Sequence, residues 1–220
     1  MADLTVQPKA TTFAGLSLAR PRIMGIVNVT PDSFSDGGEA LRFEDAVIRG
    51  RAMLAAGADI LDIGGESTRP GAKPVSVDEE CARVLPVIES LAGEGALISI
   101  DSRRAAVMRA AVAAGAKIVN DITALNGDPE ATAVIVETGV SVILMHMQGA
   151  PQTMQDNPHY DVPSQDIRDY LAGRIAICVT AGISLDRIAV DAGIGFGKTL
   201  EHNLELLAHI DVLHALACAV

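Results

Sequence analysis

The chain has 220 residues, of which 49% are hydrophobic and only 3% aromatic, with no Trp, so a large core must be built from Ala, Val, Ile and Leu. A net charge of −11 excludes a nucleic-acid or anionic-membrane surface, because either needs clustered Lys and Arg. Three cysteines (Cys81, Cys178, Cys218) without CxxC or Cys/His spacing read as core thiols of a reducing compartment. No apolar run reaches a membrane span, and the N-terminus lacks a signal peptide's basic and apolar segments, so a cytoplasmic protein is expected.

Residues 1–21 show no chemistry and read as an N-terminal extension or small hairpin that closes the base of the following fold. "RIMGIVNV" (22–29) is an apolar strand that runs into "TPDSFSDGG". A strand–helix connection needs only ~2–6 residues. This one extends from about Thr30 to Arg42, so it is either disordered or built to close on something. The helical stretch "FEDAVIRGRAMLAAG" follows, and the pattern then repeats. Strands "ADILDIGG" (58–65), "ALISIDS" (96–102), "KIVNDIT" (117–123), "VSVILMHM" (140–147) and "RIAVDAG" (187–193) alternate with Ala/Leu/Arg-rich helices. Several helices end in Ala-Gly or Thr-Gly, which suits a C′ glycine. The long polar stretch "QGAPQTMQDNPHYDVPS" (148–164) either covers part of a site or is a plain surface loop. Strand–helix alternation predicts a parallel sheet covered on both faces.

Six strands fit a doubly wound sheet or most of an α/β barrel, and the polar residues separate the two. Period-2 alternation puts Asp62 with Ile60, Ser99 with Asp101, Ile118 with Asn120, Ile143 with Met145 and Asp191 with Ala189. Each strand thus ends, on one face, in a polar or soft residue. An open sheet concentrates its site at one switch point, whereas a barrel gathers all its strand tips around one mouth. The distribution predicts a barrel mouth.

Asp101, Asn120 and Asp191 form the centre of that mouth. Buried carboxylates need partners, and Lys and Arg are scarce on these strands, so ligand N–H groups are the natural ones. Two carboxylates and a carboxamide near Met145 and Ile122 suit a flat heterocycle with several donors on one edge, such as a 2-amino-4-oxo pyrimidine ring. The competing reading makes each a helix N-cap or Asx-turn residue.

The same residues carry a resemblance. "GIVNVTPDSFSDGG" (25–38), "DILDIGGESTRPGA" (59–72), "ISIDS" (98–102), "IVNDI" (118–122) and "DAGIGFGKT" (191–199) resemble the dihydropteroate synthase family, whose fold is a pterin-binding TIM-type (β/α)₈ barrel. The resemblance spans about Arg22 to the C-terminus and implies a pterin-binding domain over 22–220. It implies a transferase that joins 6-hydroxymethyl-7,8-dihydropterin diphosphate to p-aminobenzoate, giving 7,8-dihydropteroate and diphosphate, with Mg²⁺ as cofactor and sulfonamides as competitors. Carried over by position, Asp101, Asn120 and Asp191 bond the pterin edge, and Ile122, Met145 and Phe196 line its faces. Asn28 lies at the diphosphate and metal site. Thr68, Arg69 and Pro70 belong to a second loop near p-aminobenzoate, and Phe34 and Asp36 to a first loop closing over the reacting centre. "TPDSFSDGG" is then a lid that excludes water while a pterin-stabilised cation meets a neutral arylamine. The family also implies a homodimer through late helices.

Other readings compete with parts of this one. "AGIGFGKT" (192–199) nearly matches a P-loop, but only 21 residues remain to supply the second metal-binding Asp strand. In the barrel reading its glycines let the backbone approach a flat ligand, and Lys198 is a surface charge. A folate-dependent corrinoid methyltransferase shares the barrel, but "NVTPDSFSDGG" and "ESTRPGA" favour the synthase. The five histidines lack zinc-site spacing, and His146 is expected to face a helix.

"ALACAV" (215–220) reads as the start of a seventh strand. The family continues with a Ser-Arg-Lys segment and an Arg-x-His segment, and nothing in 200–220 matches them. The incomplete barrel of this reading, six full strands without the last two βα units, leaves, beside the synthase reading, the alternative of a pterin-binding fragment with little or no turnover on its own.

Overall fold

The computed structural model describes residues 10–30, 39–67 and 74–220. A small antiparallel hairpin, β1 (Thr12–Phe13) and β2 (Leu16–Ser17), precedes six parallel strands. These are β3 (Met24–Asn28), β4 (Ile60–Gly64), β5 (Ile98–Asp101), β6 (Ile118–Asp121), β7 (Ser141–Met145) and β8 (Ile188–Asp191). Helices α1 (Glu39–Ala55), α2 (Val77–Gly93), α3 (Ala105–Ala113), α4 (Ala131–Thr138), α5 (Pro163–Thr180) and α6 (Leu200–Ala208) follow the strands one by one.

The sheet order is β3-β4-β5-β6-β7-β8, the order of the chain itself. A doubly wound sheet would reverse direction at a switch point. There is none among the described strands, so the barrel expectation holds for the architecture. The sheet is not closed: among the described strands β3 is not paired with β8. Beyond β8, Ala219 forms a parallel bridge with Ala189, and Val190 N donates to Ala219 O at 2.9 Å. Of the expected strand at 215–220 this bridge alone is formed, because Ile210–Leu216 is a 3-10 helix.

Alternation along each strand divides the apolar residues between two cores. Leu61, Ile63, Ile98, Ile100, Val119, Val142, Leu144 and Val190 point outward into the layer of helices. Val84, Val87, Ile88 and Leu91 of α2 meet them at the i, i+3, i+4, i+7 spacing of one helical face. Helix α2 starts cleanly because the Ser76 side chain accepts from Glu79 N, and Asp78, Glu79 and Glu80 occupy its positive end. The inner core is smaller: Ile60, Ile118, Ile143 and Ala189 pack around Phe13 of the hairpin, with Met24 and Leu97 beside them. The hairpin therefore plugs the base of the sheet. Asp59 fixes it there by accepting from Arg20, from Arg22 at 2.9 Å and from Ile23 N at 3.0 Å.

Candidate active site

Register decides which side chains meet. Asn28 pairs with Gly64, Gly64 with Asp101, Asp101 with Asn120, Asn120 with Ile143 and Ile143 with Ala189. Paired residues of parallel strands point the same way, so these form one inward row near the strand tips. Asp62 and Ser99 form the row beneath, and Met145 pairs with Asp191 in the row above. Gly64 matters by what it lacks: a Cβ there would stand 3.3 Å from Asn28 Oδ1 and 3.4 Å from Asp101 Oδ2. Its absence lets the two polar groups share one space.

Strand tilt adds a contact that pairing alone does not. Asn120 Nδ2 donates to Asp62 Oδ2 at 2.9 Å, although β5 lies between their strands. Asn120 Oδ1 is buried here with no protein partner, and the Ser99 hydroxyl lies against the Asp62 carboxyl. Buried polar atoms are nearly always satisfied, so the open Asn120 oxygen points to a guest molecule or water. Burial pushes the Asp62 carboxyl above the usual range, the Ser99 hydroxyl and the Asn120 amino group oppose it, and the charge of Asp191 adds to the rise. Asp101 is pushed up well beyond its ordinary value, first by burial and then by the charges of Asp62, Asp121, Glu80 and Glu66. The site is therefore a concentration of acceptors that favours a ligand bringing N–H donors.

Around it, Ile122 and Met145 are buried, and Phe196 is half-buried in the β8–α6 connection. Asp101 and Asn120 cap no helix: the N-caps of α3 and α4 are Arg104 and Glu130. Asp191 is exposed and does form an Asx-type turn, with Oδ1 accepting from Gly193 N at 2.8 Å. Along the open side, a cleft of about 610 Å³ runs past Phe13, Met24, Ile60, Ile143, Ala189 and Asp191. The expected residues Phe34, Asp36, Thr68, Arg69 and Pro70 lie outside the described residues.

One expectation is corrected. Lys198 is not a surface charge but only 3% exposed. Its ammonium donates to Gly193 O at 2.8 Å and Phe196 O at 2.9 Å, and stands 3.2 Å from His146 Nδ1. Two of its three glycines, Gly193 and Gly197, admit backbone rather than ligand. At Gly193 (φ +66°) a Cβ would fall 1.9 Å from His146 O, and at Gly197 (φ +59°) one would fall 2.8 Å from Gln148 O. The stretch 148–162 docks on the same connection, through Gln155 Nε2 to Gly195 O and the Tyr160 hydroxyl to Gly197 O, both at 2.7 Å. A P-loop lysine would have to reach a phosphate, and this one is committed to carbonyls. His146 faces α5, as expected, and meets the Tyr170 ring edge-on at 4.9 Å.

Sequence reading also passed over an ion-pair network at the tips of β4 and β5. Glu66 accepts from Arg103 at 2.7 Å and from Arg104, which also reaches Glu80 at 2.5 Å. The adjacent acids and bases are visible in the sequence, but their pairing depends on which strands are neighbours. No group of three or more His, Cys, Asp or Glu side chains placed to hold a metal occurs among the described residues. Asn28 offers one neutral oxygen, which fits a Mg²⁺ that keeps waters and takes most ligands from a substrate's phosphates.

A consecutive parallel sheet whose inward tips concentrate acceptors around an apolar slot defines a barrel-type binding enzyme. A family model described as pterin binding enzyme matches residues 24–220. The dihydropteroate synthase of Escherichia coli (strain K12) is 48% identical over 200 residues, covering 90% of this chain and 71% of that protein. The Yersinia pestis dihydropteroate synthase, solved with a sulfonamide drug, superposes with a TM-score of 0.86 at 48% identity, over 92% of this chain and 74% of that one. The Xanthomonas albilineans enzyme in complex with 7,8-dihydropteroate gives a TM-score of 0.82 at 45% identity, over 92% and 72%. The chain belongs to the pterin-binding enzymes and, within them, to the dihydropteroate synthase family.

Proposed function

We propose that this chain binds 6-hydroxymethyl-7,8-dihydropterin diphosphate and transfers its pterin-methylene group to p-aminobenzoate, forming 7,8-dihydropteroate and diphosphate. The observation that carries the reading is the buried, unpartnered Asn120 oxygen beside the carboxyls of Asp62 and Asp101 on the inner face. A pterin edge carries the complementary N–H donors. Asp101, Asn120 and Asp191 hold that edge, and Ile122, Met145 and Phe196 sandwich the ring between apolar surfaces. Asn28, at the tip of β3 beside Asp101, would face the leaving diphosphate and would offer one oxygen to a Mg²⁺ bound with it. The metal's chemistry is to neutralise charge on the departing diphosphate.

No nucleophile–base pair is required, because the arylamine attacks as a neutral amine and the cation forms on the pterin side. The residues act by positioning and by matching charge in a space that excludes water. Phe34, Asp36, Thr68, Arg69 and Pro70 take their roles over the diphosphate and p-aminobenzoate from their motifs alone. Sulfonamides compete at the p-aminobenzoate position. Residues 22–220 constitute the pterin-binding unit and 1–21 an extension to it. The setting is cytoplasmic and the assembly a homodimer, without nucleic-acid or membrane partners. Among the described residues no helix is long and apolar enough to cross a membrane.

Calorimetric titration with 6-hydroxymethylpterin tests the reading, with Asp101→Asn and Asn120→Ala as controls. The expected result is saturable binding that each control weakens by at least about tenfold, since each removes a charge-assisted or buried hydrogen bond. Absence of binding, or binding that neither substitution changes, overturns it. Dihydropteroate formation, measured separately, reports whether this 220-residue chain also turns over.

A further inference from the structure

We propose that Asp62 is a positioning residue: it holds the Asn120 carboxamide so that the oxygen, not the amino group, is presented to the ligand. The inference rests on the pterin reading of the site and adds a determinant of its specificity. Asp62 sits mid-strand on the inner face of β4, a row below the strand tips, and is 4% exposed. Its Oδ2 takes the Asn120 amino group at 2.9 Å. Asn120 Oδ1 is thereby left buried and without a partner, while the Ser99 hydroxyl lies against the Asp62 carboxyl.

Turning the Asn120 amide over would set its oxygen against Asp62 Oδ2, acceptor to acceptor. The arrangement holds for ionised Asp62 and for the neutral acid whose proton sits on Oδ1, which leaves Oδ2 free to accept from Nδ2. The site therefore asks for an N–H at the point Asn120 faces and penalises a ring presenting a lone pair there. A buried acceptor left unmatched is the stronger source of discrimination.

A polarity exchange tests this. Asn120→Asp places two carboxyl groups against each other. In the double variant Asp62→Asn/Asn120→Asp, the amino group sits on residue 62, and residue 120 again offers an oxygen to the mouth. The probe is 6-hydroxymethylpterin, titrated against wild type, N120D and D62N/N120D. The expected result is a loss of at least about tenfold in N120D and recovery to within about threefold of wild type in the double variant. A merely structural role would make the second substitution neutral or further damaging. N120D binding like wild type, or no recovery in the double variant, overturns the proposal. If wild type itself does not bind the probe, the pterin reading fails, and the Asp62 inference is read on the ligand-free protein. One Asn120 Nδ2 proton should then exchange with solvent at least about tenfold more slowly than the other in NMR spectra, as a single strong bond requires. Equal exchange overturns it.

Discussion

Lys198 Nζ lies 3.2 Å from His146 Nδ1 and 3.4 Å from His146 O, joining the tip of β7 to the β8–α6 connection, whose Gly193 O and Phe196 O it also holds. Both groups are nearly excluded from water, and each makes the other's positive charge less favourable. Burial, with the neighbouring ammonium adding to it, brings His146 down to about 4. Burial brings Lys198 down to about 8, with Asp191 opposing. At neutral pH the pair is a neutral imidazole beside an ammonium held by carbonyl oxygens.

Replacing Lys198 by Met keeps the length of the side chain and removes every donor. The carbonyls of His146, Gly193 and Phe196 then lose the ammonium donor, while the cost of burying a charge disappears. A net destabilisation of about 2 kcal/mol is expected, read as a lower urea midpoint at unchanged m-value. A variant as stable as wild type would mean that the carbonyls find other partners.

The pH dependence has a definite sign. Because folding holds His146 near 4 against an ordinary 6.5, its neutral form contributes stability that is fully present above 6.5. That contribution falls away as pH drops toward about 4, by about 3 kcal/mol over the window. Asp62 and Asp101, raised by burial, act in the opposite direction. They are common to wild type and His146→Gln, so the difference between the two isolates the histidine. Wild-type stability should decline more steeply than that of H146Q between pH 6.5 and 4, and parallel curves would contradict the assignment.

Gly193→Ala should be severe. The new methyl would need to occupy the position of His146 O, 1.9 Å away, in a left-handed backbone at φ +66°. Either effect alone disfavours the native connection, and the two together should cost more than about 3 kcal/mol. A fall in melting temperature, together with weakened pterin titration, is the expected pair of results. Gly195→Ala makes the useful comparison, because φ is also positive there but no atom lies within 4 Å.

Asp121 faces the outer layer and organises the β6–α4 turn by accepting from Thr123 N and Oγ1 at 2.7 Å and from Leu125 N at 3.0 Å. That turn holds Ala124 at φ +53° and Leu125 at φ +58°, unusual for residues with side chains. Their carbonyls in turn accept from Arg174 of α5. Asp121→Ala should cost about 2–4 kcal/mol in guanidinium unfolding, because the Thr123 and Leu125 donors lose their acceptor, any relief of strain at Ala124 and Leu125 acting the other way. Asp121→Asn, which keeps one acceptor, should lie between.

Much of the site was legible because strand periodicity is rigid. Once "ISID" and "IVND" are strands, Ile98, Ile100 and Val119 facing one way oblige Asp101 and Asn120 to face the other, and the structure has them so. Of the apolar run at 215–220, only Ala219 bridges to β8, while Ala215 and Leu216 close a 3-10 helix, Ile210–Leu216. The fate of Lys198 was not legible. Glycines beside a lysine suggest an exposed turn, and nothing local reveals that a carbonyl from residue 146 and a docked stretch from 148 to 162 fill the space around it. The bond between Asp62 and Asn120 was hidden for a related reason. Sequence determines which face of its own strand a residue occupies. The stagger and tilt of neighbouring strands decide which residues of that face touch, and those arise only when the whole sheet is packed.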